Sequence, residues 1–118
     1  MSLVLTPDRL AAVYEMLRAF PPFNRWRLPP GADIRFHVTK TNAHDAEWWL
    51  EDDRHHIALS EKRAGHIATI IRNMGHEMIH VKQRQAKTET RGVEHNAEFR
   101  RISKRLCQHY GWDLKEFI

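Results

Sequence analysis

From Ser60 to Gln85 no proline interrupts the chain, and apolar residues recur at Ile67, Ile71, Met74 and Met78, in steps of four, three and four. That spacing lays a single stripe along an α-helix, so the segment 61–85 reads as one long helix with Ser60 as its N-cap. A helix of about seven turns must bury its stripe, and in a chain of 118 residues everything else has to be arranged around it. Gly75 stands inside it, where glycine costs roughly 1 kcal/mol relative to alanine; close approach by a neighbour is the expected reason.

The flanking segments fill in an α+β domain. Thr6-Pro7-Asp8 supplies an N-cap, a proline at the first helical position and an acid at the positive helix end. Leu10, Val13, Tyr14 and Leu17 then follow at helical spacing, predicting a helix over 7–20 closed by Pro21-Pro22. Arg25-Trp26-Arg27, in the irregular stretch before Pro29-Pro30-Gly31, reads as a loop packing its tryptophan on the core, with nucleic-acid contact the alternative. Alternating Ile34, Phe36 and Val38 mark a strand over 33–39. Further strands are expected over 46–52 and 55–60, turned at Asp52-Asp53-Arg54, so a three-stranded antiparallel meander is predicted. A polar loop over 86–93 leads to a C-terminal helix over 95–110, with Phe99, Ile102, Leu106 and Tyr110 on one stripe and Gly111 as its C-cap. Residues 1–118 thus form one domain: an N-terminal helix, a three-stranded antiparallel sheet, a long helix and a C-terminal helix.

Composition removes several classes of protein. The single cysteine, Cys107, can form neither an internal disulfide nor a Cys-rich zinc ribbon. No apolar run approaches the roughly 18 residues of a membrane span, and Ser2-Leu3-Val4-Leu5 is cut short by Pro7 without a basic leader. A monomer working in the cytoplasm, with no membrane partner, is the expectation. Residues 62–109 hold 11 Lys/Arg against 4 Asp/Glu while the rest of the chain is acidic, so an anionic neighbour, if any, is expected on that half.

The chemistry is concentrated in Gly75-His76-Glu77-Met78-Ile79-His80, an H-E-x-x-H motif inside the expected long helix. At 100° per residue His76 and His80 lie about 40° apart with a rise of about 6 Å, so both imidazoles can reach one zinc ion. They face away from the Ile67–Met78 stripe. Glu77 lies beside them, where its carboxylate can touch a water held by the ion without replacing a ligand. Asn73, Thr69 and Gln83 share this polar face, either as solvated surface or as support for the ligands. A catalytic site needs a third ligand. The metzincin extension is excluded by Gln83 and Ala86, leaving Glu94, Glu98 or His95. His95 is favoured, because docking the Phe99–Ile102 face on the metal helix brings it in.

His76-Glu77-Met78-Ile79-His80, followed fifteen residues after His80 by His95-x-x-Glu98-Phe99, resembles the SprT-like metalloprotease family, which includes the Spartan DNA–protein crosslink proteases. The likeness extends over about residues 56–112. It implies a minimal zincin-like fold, one Zn2+ held by His76, His80 and His95, and Glu77 as general base in hydrolysis of peptide bonds, with DNA-associated proteins as substrates and a nucleoid-associated location. Where that family often has Gly-Pro after the third histidine, this chain has Asn96-Ala97.

Two further expectations accompany this reading. Arg100, Arg101, Lys104 and Arg105, joined by Lys82, Arg84, Lys87 and Arg91, offer phosphate contacts for DNA. The strand 56–60 offers an edge on which an extended peptide could add. A donor for the developing oxyanion is left open among Arg72, Tyr110 and a strand amide. The alternative function is a catalytically inactive zincin-like domain serving as a nucleic-acid or protein-binding adaptor. A further rival is a metal-free helical interaction protein.

Overall fold

The computed structural model describes residues 4–64 and 66–118; Met1–Leu3 and Gly65, the last inside the segment expected to be helical from 61, lie outside the described residues. Helix α1 (Pro7–Ala19) begins as its sequence dictates, with the Thr6 hydroxyl accepting from the Arg9 amide at 3.1 Å and Pro7 in the first turn. Leu10, Tyr14 and Leu17 line its buried face. Trp26 packs edge-on against the buried Phe23, centroids 4.8 Å apart.

The strands β1 (Ile34–Thr39), β2 (Ala46–Glu51) and β3 (Arg54–Ser60) lie in the order β1-β3-β2. The β2–β3 hairpin is antiparallel as expected, turned at Asp52 and Asp53, both of which adopt the left-handed conformation that tight hairpin turns need. The meander is corrected, however: β1 pairs in parallel with β3, so the sheet is mixed and β3 is its centre. Residues 40–45 carry the chain past the end of β3. They are tied there by Ser60, whose amide donates to the Asp45 carbonyl (2.8 Å) and whose hydroxyl donates to the Thr41 carbonyl (2.6 Å), and by Arg63 bound to Asp45. Central placement also explains why β3 is buried on both faces, with the small Ala58 and Ser60 on the outer one.

Helix α2 (Ile67–Ala86) starts six residues later than the sequence reading placed it. Ser60 is not its cap: its hydroxyl is used in the crossover, and its carbonyl accepts from the Arg63 and Ala64 amides, making a turn. Ile67, the first helical residue, is 54% exposed rather than part of the core stripe. From Asn73 to Gln83 the helix is enclosed nearly all round, by α1, the sheet, α3 (Ala97–Tyr110) and a short α4 (Leu114–Phe117) that the sequence reading did not include. Gly75 has the close approach expected of it: a Cβ there would sit 3.4 Å from both Phe23 Cζ and the Trp112 ring. Helix α3 begins at Ala97, not residue 95, because Asn96 is its N-cap, accepting from the Phe99 amide at 2.9 Å. Gly111 closes it in the left-handed conformation, as expected. The described residues thus form an α+β fold of four helices and a three-stranded mixed sheet, and no described helix is long and apolar enough to cross a membrane.

Candidate metal centre

Three elements deliver the centre. Helix α2 supplies His76, Glu77 and His80, the residue just before the α3 cap supplies His95, and β2 supplies a wall, with Trp48 stacked on His80 (centroids 5.6 Å, 15° between planes). Phe99 is the common floor, its ring 5.0, 4.7 and 4.4 Å from the rings of His76, His80 and His95. The docking that favoured His95 from sequence is therefore what the structure contains. One ring nitrogen from each of the three histidines lies within 4.8 Å of the other two.

Whether this set fits a metal can be judged from its hydrogen bonds. His95 Nε2 is buried with no partner, an orphan that a cation would satisfy. His76 Nδ1 lies 2.6 Å from the Phe117 carbonyl oxygen, which can only accept, so Nδ1 carries the proton and the Nε2 lone pair is directed away, available to an ion. Desolvation by burial is the main cause lowering the pKa of His76 to about 4 and of His80 to about 3, and it lowers that of His95 as well. All three rings are neutral at pH 7, the form that binds metal. Tetrahedral bonds of about 2.0–2.1 Å place ligand nitrogens roughly 3.4 Å apart, so ring movements of under about an ångström close the set. The cluster could hold a metal ion.

The two carboxylate alternatives are differently placed. Glu98 Oε1 accepts from Gln83 Nε2 at 2.9 Å and from the Thr88 hydroxyl at 2.5 Å, which commits it to tying α3 to the end of α2. Glu94 is exposed, with an oxygen 3.8 Å from His95 Nε2. Glu77 is almost fully buried, and that burial, with the Glu94 and Glu47 charges adding in the same direction, raises its pKa to about 8. Its oxygen lies 3.8 Å from His76 Nε2, but with His76 neutral and Glu77 protonated near pH 7 this is no ion pair. A divalent cation among the three histidines would reverse the preference of Glu77 toward the carboxylate.

Two cavities flank the triad. One of about 320 Å³ is lined by Glu47, Trp48, Glu77, His80, Val93 and Glu94. The other, about 260 Å³, is lined by Asn73, His76, Glu77, Glu94, His95 and Phe117 among others. Asn73 and Gln83, read from sequence as either surface or support, are both buried, at 6% and 2% exposure. Sequence reading missed the Phe117 carbonyl and Trp48. Nothing signalled the first, 41 residues along the chain from His76.

Other expectations separate. Strand β3 is the middle strand and has no open edge, so peptide addition at 56–60 is excluded; the edge nearest the triad is β2. Of the four basic residues expected to meet DNA, Arg101 and Arg105 line a cavity of about 250 Å³ together with Pro22, Trp26, Lys82, Ile102 and the acidic Glu98, the Lys82 ammonium lying 5.8 Å from the Trp26 ring centroid. Arg100 and Lys104 are exposed outside that lining, Arg100 donating to the His95 carbonyl at 3.3 Å. Arg72 is held by Glu116 at 3.0 Å, with its Nε buried and unpartnered, and the Tyr110 hydroxyl donates to the Pro21 carbonyl; neither of these two candidate oxyanion donors lines the cavities beside the triad. No protein-family model matches the chain, and no curated protein matches it.

Proposed function

We propose that this protein is a zinc-dependent metallopeptidase of the SprT-like, zincin-like kind, a hydrolase acting on flexible segments of proteins, DNA-associated ones among them. The single observation that carries the reading is the convergence of three neutral imidazoles, one with an orphaned buried nitrogen, beside a buried carboxyl that is not itself needed as a ligand. Zinc, when bound, supplies Lewis acidity, acidifying the water it holds toward a pKa of roughly 7 and polarising a peptide carbonyl. His76, His80 and His95 hold the ion, and the Phe117 carbonyl fixes the tautomer of His76.

Glu77 is the general base. It takes one proton from water as the new O–C bond forms, then gives that proton to the amine nitrogen as the C–N bond breaks, leaving a carboxylic acid and an amine; the acid then passes its remaining proton to the amine, giving a carboxylate and an ammonium. Glu77 is aligned for this by its place between His76 and His80 on α2 and by the burial of its side chain. The exposed backbone of β2 is the edge on which an extended peptide adds, with Trp48 and Val93 accepting a side chain in the 320 Å³ cavity. The cavity of Trp26, Lys82, Arg101 and Arg105, three cations against the single carboxylate of Glu98, supports the DNA-associated part of the reading.

Glu77→Gln provides the test. It should leave zinc stoichiometry intact and lower peptide cleavage by about 10²–10⁴-fold, as loss of a general base does. Unchanged cleavage would refute the peptidase reading and leave the adaptor, in which the metal is structural and the basic cavity is the working surface.

A further inference from the structure

On α2, Asn73 sits one turn before the pair it must serve. It is three residues from His76 and four from Glu77, so on the helix surface its side chain falls between theirs. It is 6% exposed, and its Nδ2 is buried without a hydrogen-bond partner. It lines the 260 Å³ cavity that also contains His76, Glu77 and His95. A buried amide donor left unmet costs about 1–3 kcal/mol, so a donor retained at such a place calls for an acceptor that arrives there. A metal ion offers nothing to an N–H. An oxygen does, and most of all one that is gaining negative charge.

We infer that the Asn73 side-chain amide donates a hydrogen bond to the carbonyl oxygen of the scissile peptide bond as that oxygen gains charge during hydrolysis. This inference rests on the peptidase reading above and supplies the donor it lacks. Of the two side-chain donors named from sequence, Tyr110 is engaged by Pro21 and Arg72 by Glu116 through Nη1; Arg72 Nε is buried without a partner, but neither residue lines the cavity, as Asn73 does. Two acceptors within the cavity are taken, the Phe117 carbonyl by His76 and a Glu116 oxygen by Arg72, and the Glu77 and Glu94 carboxyls that also line it make no hydrogen bond to the Asn73 amide.

The experiment uses the full zinc-loaded chain with Asn73→Leu, which keeps much of the shape but removes the donor without adding charge, and Asn73→Ala. Calorimetry measures binding of a phosphonamidate peptide, whose tetrahedral anionic oxygens imitate the charged state, and of the parent peptide in the Glu77→Gln background. Both variants should retain zinc and thermal midpoint. They should bind the phosphonamidate about 10²-fold more weakly and the parent peptide within about threefold of wild type, while kcat falls about 10²-fold at constant KM. Equal phosphonamidate affinity in wild type and both variants, on a wild type that cleaves peptide, overturns the role of Asn73 alone. Loss of zinc in both variants also overturns it, assigning Asn73 to holding the centre. A zinc-loaded wild type that neither cleaves peptide nor binds the phosphonamidate overturns the peptidase reading, and the inference with it.

Discussion

Two groups of histidines lie close together in this molecule, and their nitrogens are treated in opposite ways. On the outer face of the sheet, His37 and His56 stack with Trp49, and His37 Nε2 lies 2.9 Å from His56 Nδ1, so each ring nitrogen of that contact has the other as partner. On α2 and at the head of α3, three ring nitrogens converge within 4.8 Å and none hydrogen-bonds another. Proximity of imidazoles is common to both. What distinguishes a place for a cation is convergence that leaves lone pairs unspent, with a carbonyl behind one ring to fix its tautomer. The sheet pair lacks both features.

The largest effect expected from this contrast is on metal binding. On the proposed zinc reading, His95→Ala removes one ligand of three and should weaken zinc by well over 100-fold, beyond the roughly 10–100-fold seen when only a supporting contact is lost. Glu94→Ala, His37→Ala and His56→Ala should each leave stoichiometry unchanged. Metal analysis after dialysis against a graded chelator reads all four variants, and loss of zinc from the His37 or His56 variant would break the distinction.

The contrast also bears on what could be read from the chain. The triad and Glu77 were legible because helical spacing of four residues converts letters into geometry, and because the Phe99–Ile102 face had one place to dock. The hairpin was legible in Asp52-Asp53. The parallel pairing of β1 was not, since alternation reports which face of a strand is buried but not which neighbour it pairs with. A signal did exist: β3 carries small Ala58 and Ser60 on its outer face, as a strand covered on both sides permits. Helix α4 had a signal too, Asp113 accepting from the Lys115 and Glu116 amides as an N-cap. For the burial of Asn73 there was none, because a polar face turned toward a site reads like one turned toward water.

Next in size is the pH dependence of the metal-free protein. The folded-state pKa values of His76 and His80 are about 4 and 3, below the unfolded 6.5, so the unfolded chain takes up two protons that the folded chain refuses as pH falls below 6.5. Glu77 acts oppositely, being raised to about 8 from 4.5: the folded chain keeps a proton that the unfolded chain has released. Between pH 6.5 and 4.5 the balance is about one proton in favour of the unfolded state, costing roughly 3 kcal/mol, and the lowered pKa values of His55 and His95 add to it. From pH 6.5 to 8 only Glu77 is in play, and stability falls as pH rises. Chemical denaturation of the apo protein should therefore show a stability maximum near about pH 6.5. Glu77→Gln should flatten the alkaline limb and His80→Gln the acid limb. A maximum above pH 8 would show that Glu77 does not titrate as its burial requires.

The smallest effect separates two faces of α3 rather than two histidine groups. Lys104 and Arg105 are neighbours on that helix, about 100° apart, so they carry the same charge to different surroundings. Arg105 joins Trp26, Lys82 and Arg101 around a cavity with an apolar floor, while Lys104 lies outside that lining. If the proposed nucleic-acid contact is a site rather than a general attraction of a basic surface, reversing the two charges should not be equivalent. Arg105→Glu should weaken binding of a single-stranded oligonucleotide by about tenfold and reduce the slope of log affinity against log salt by about one, while Lys104→Glu should change affinity by less than about threefold. Trp26→Ala in the same titration should weaken binding by roughly 1–3 kcal/mol through lost stacking, without altering the salt slope, because the ring carries no charge. Equal losses for Arg105→Glu and Lys104→Glu would mean that only net charge matters. The α3 face would then be an ordinary basic surface, in the same way that the sheet histidines are an ordinary satisfied pair.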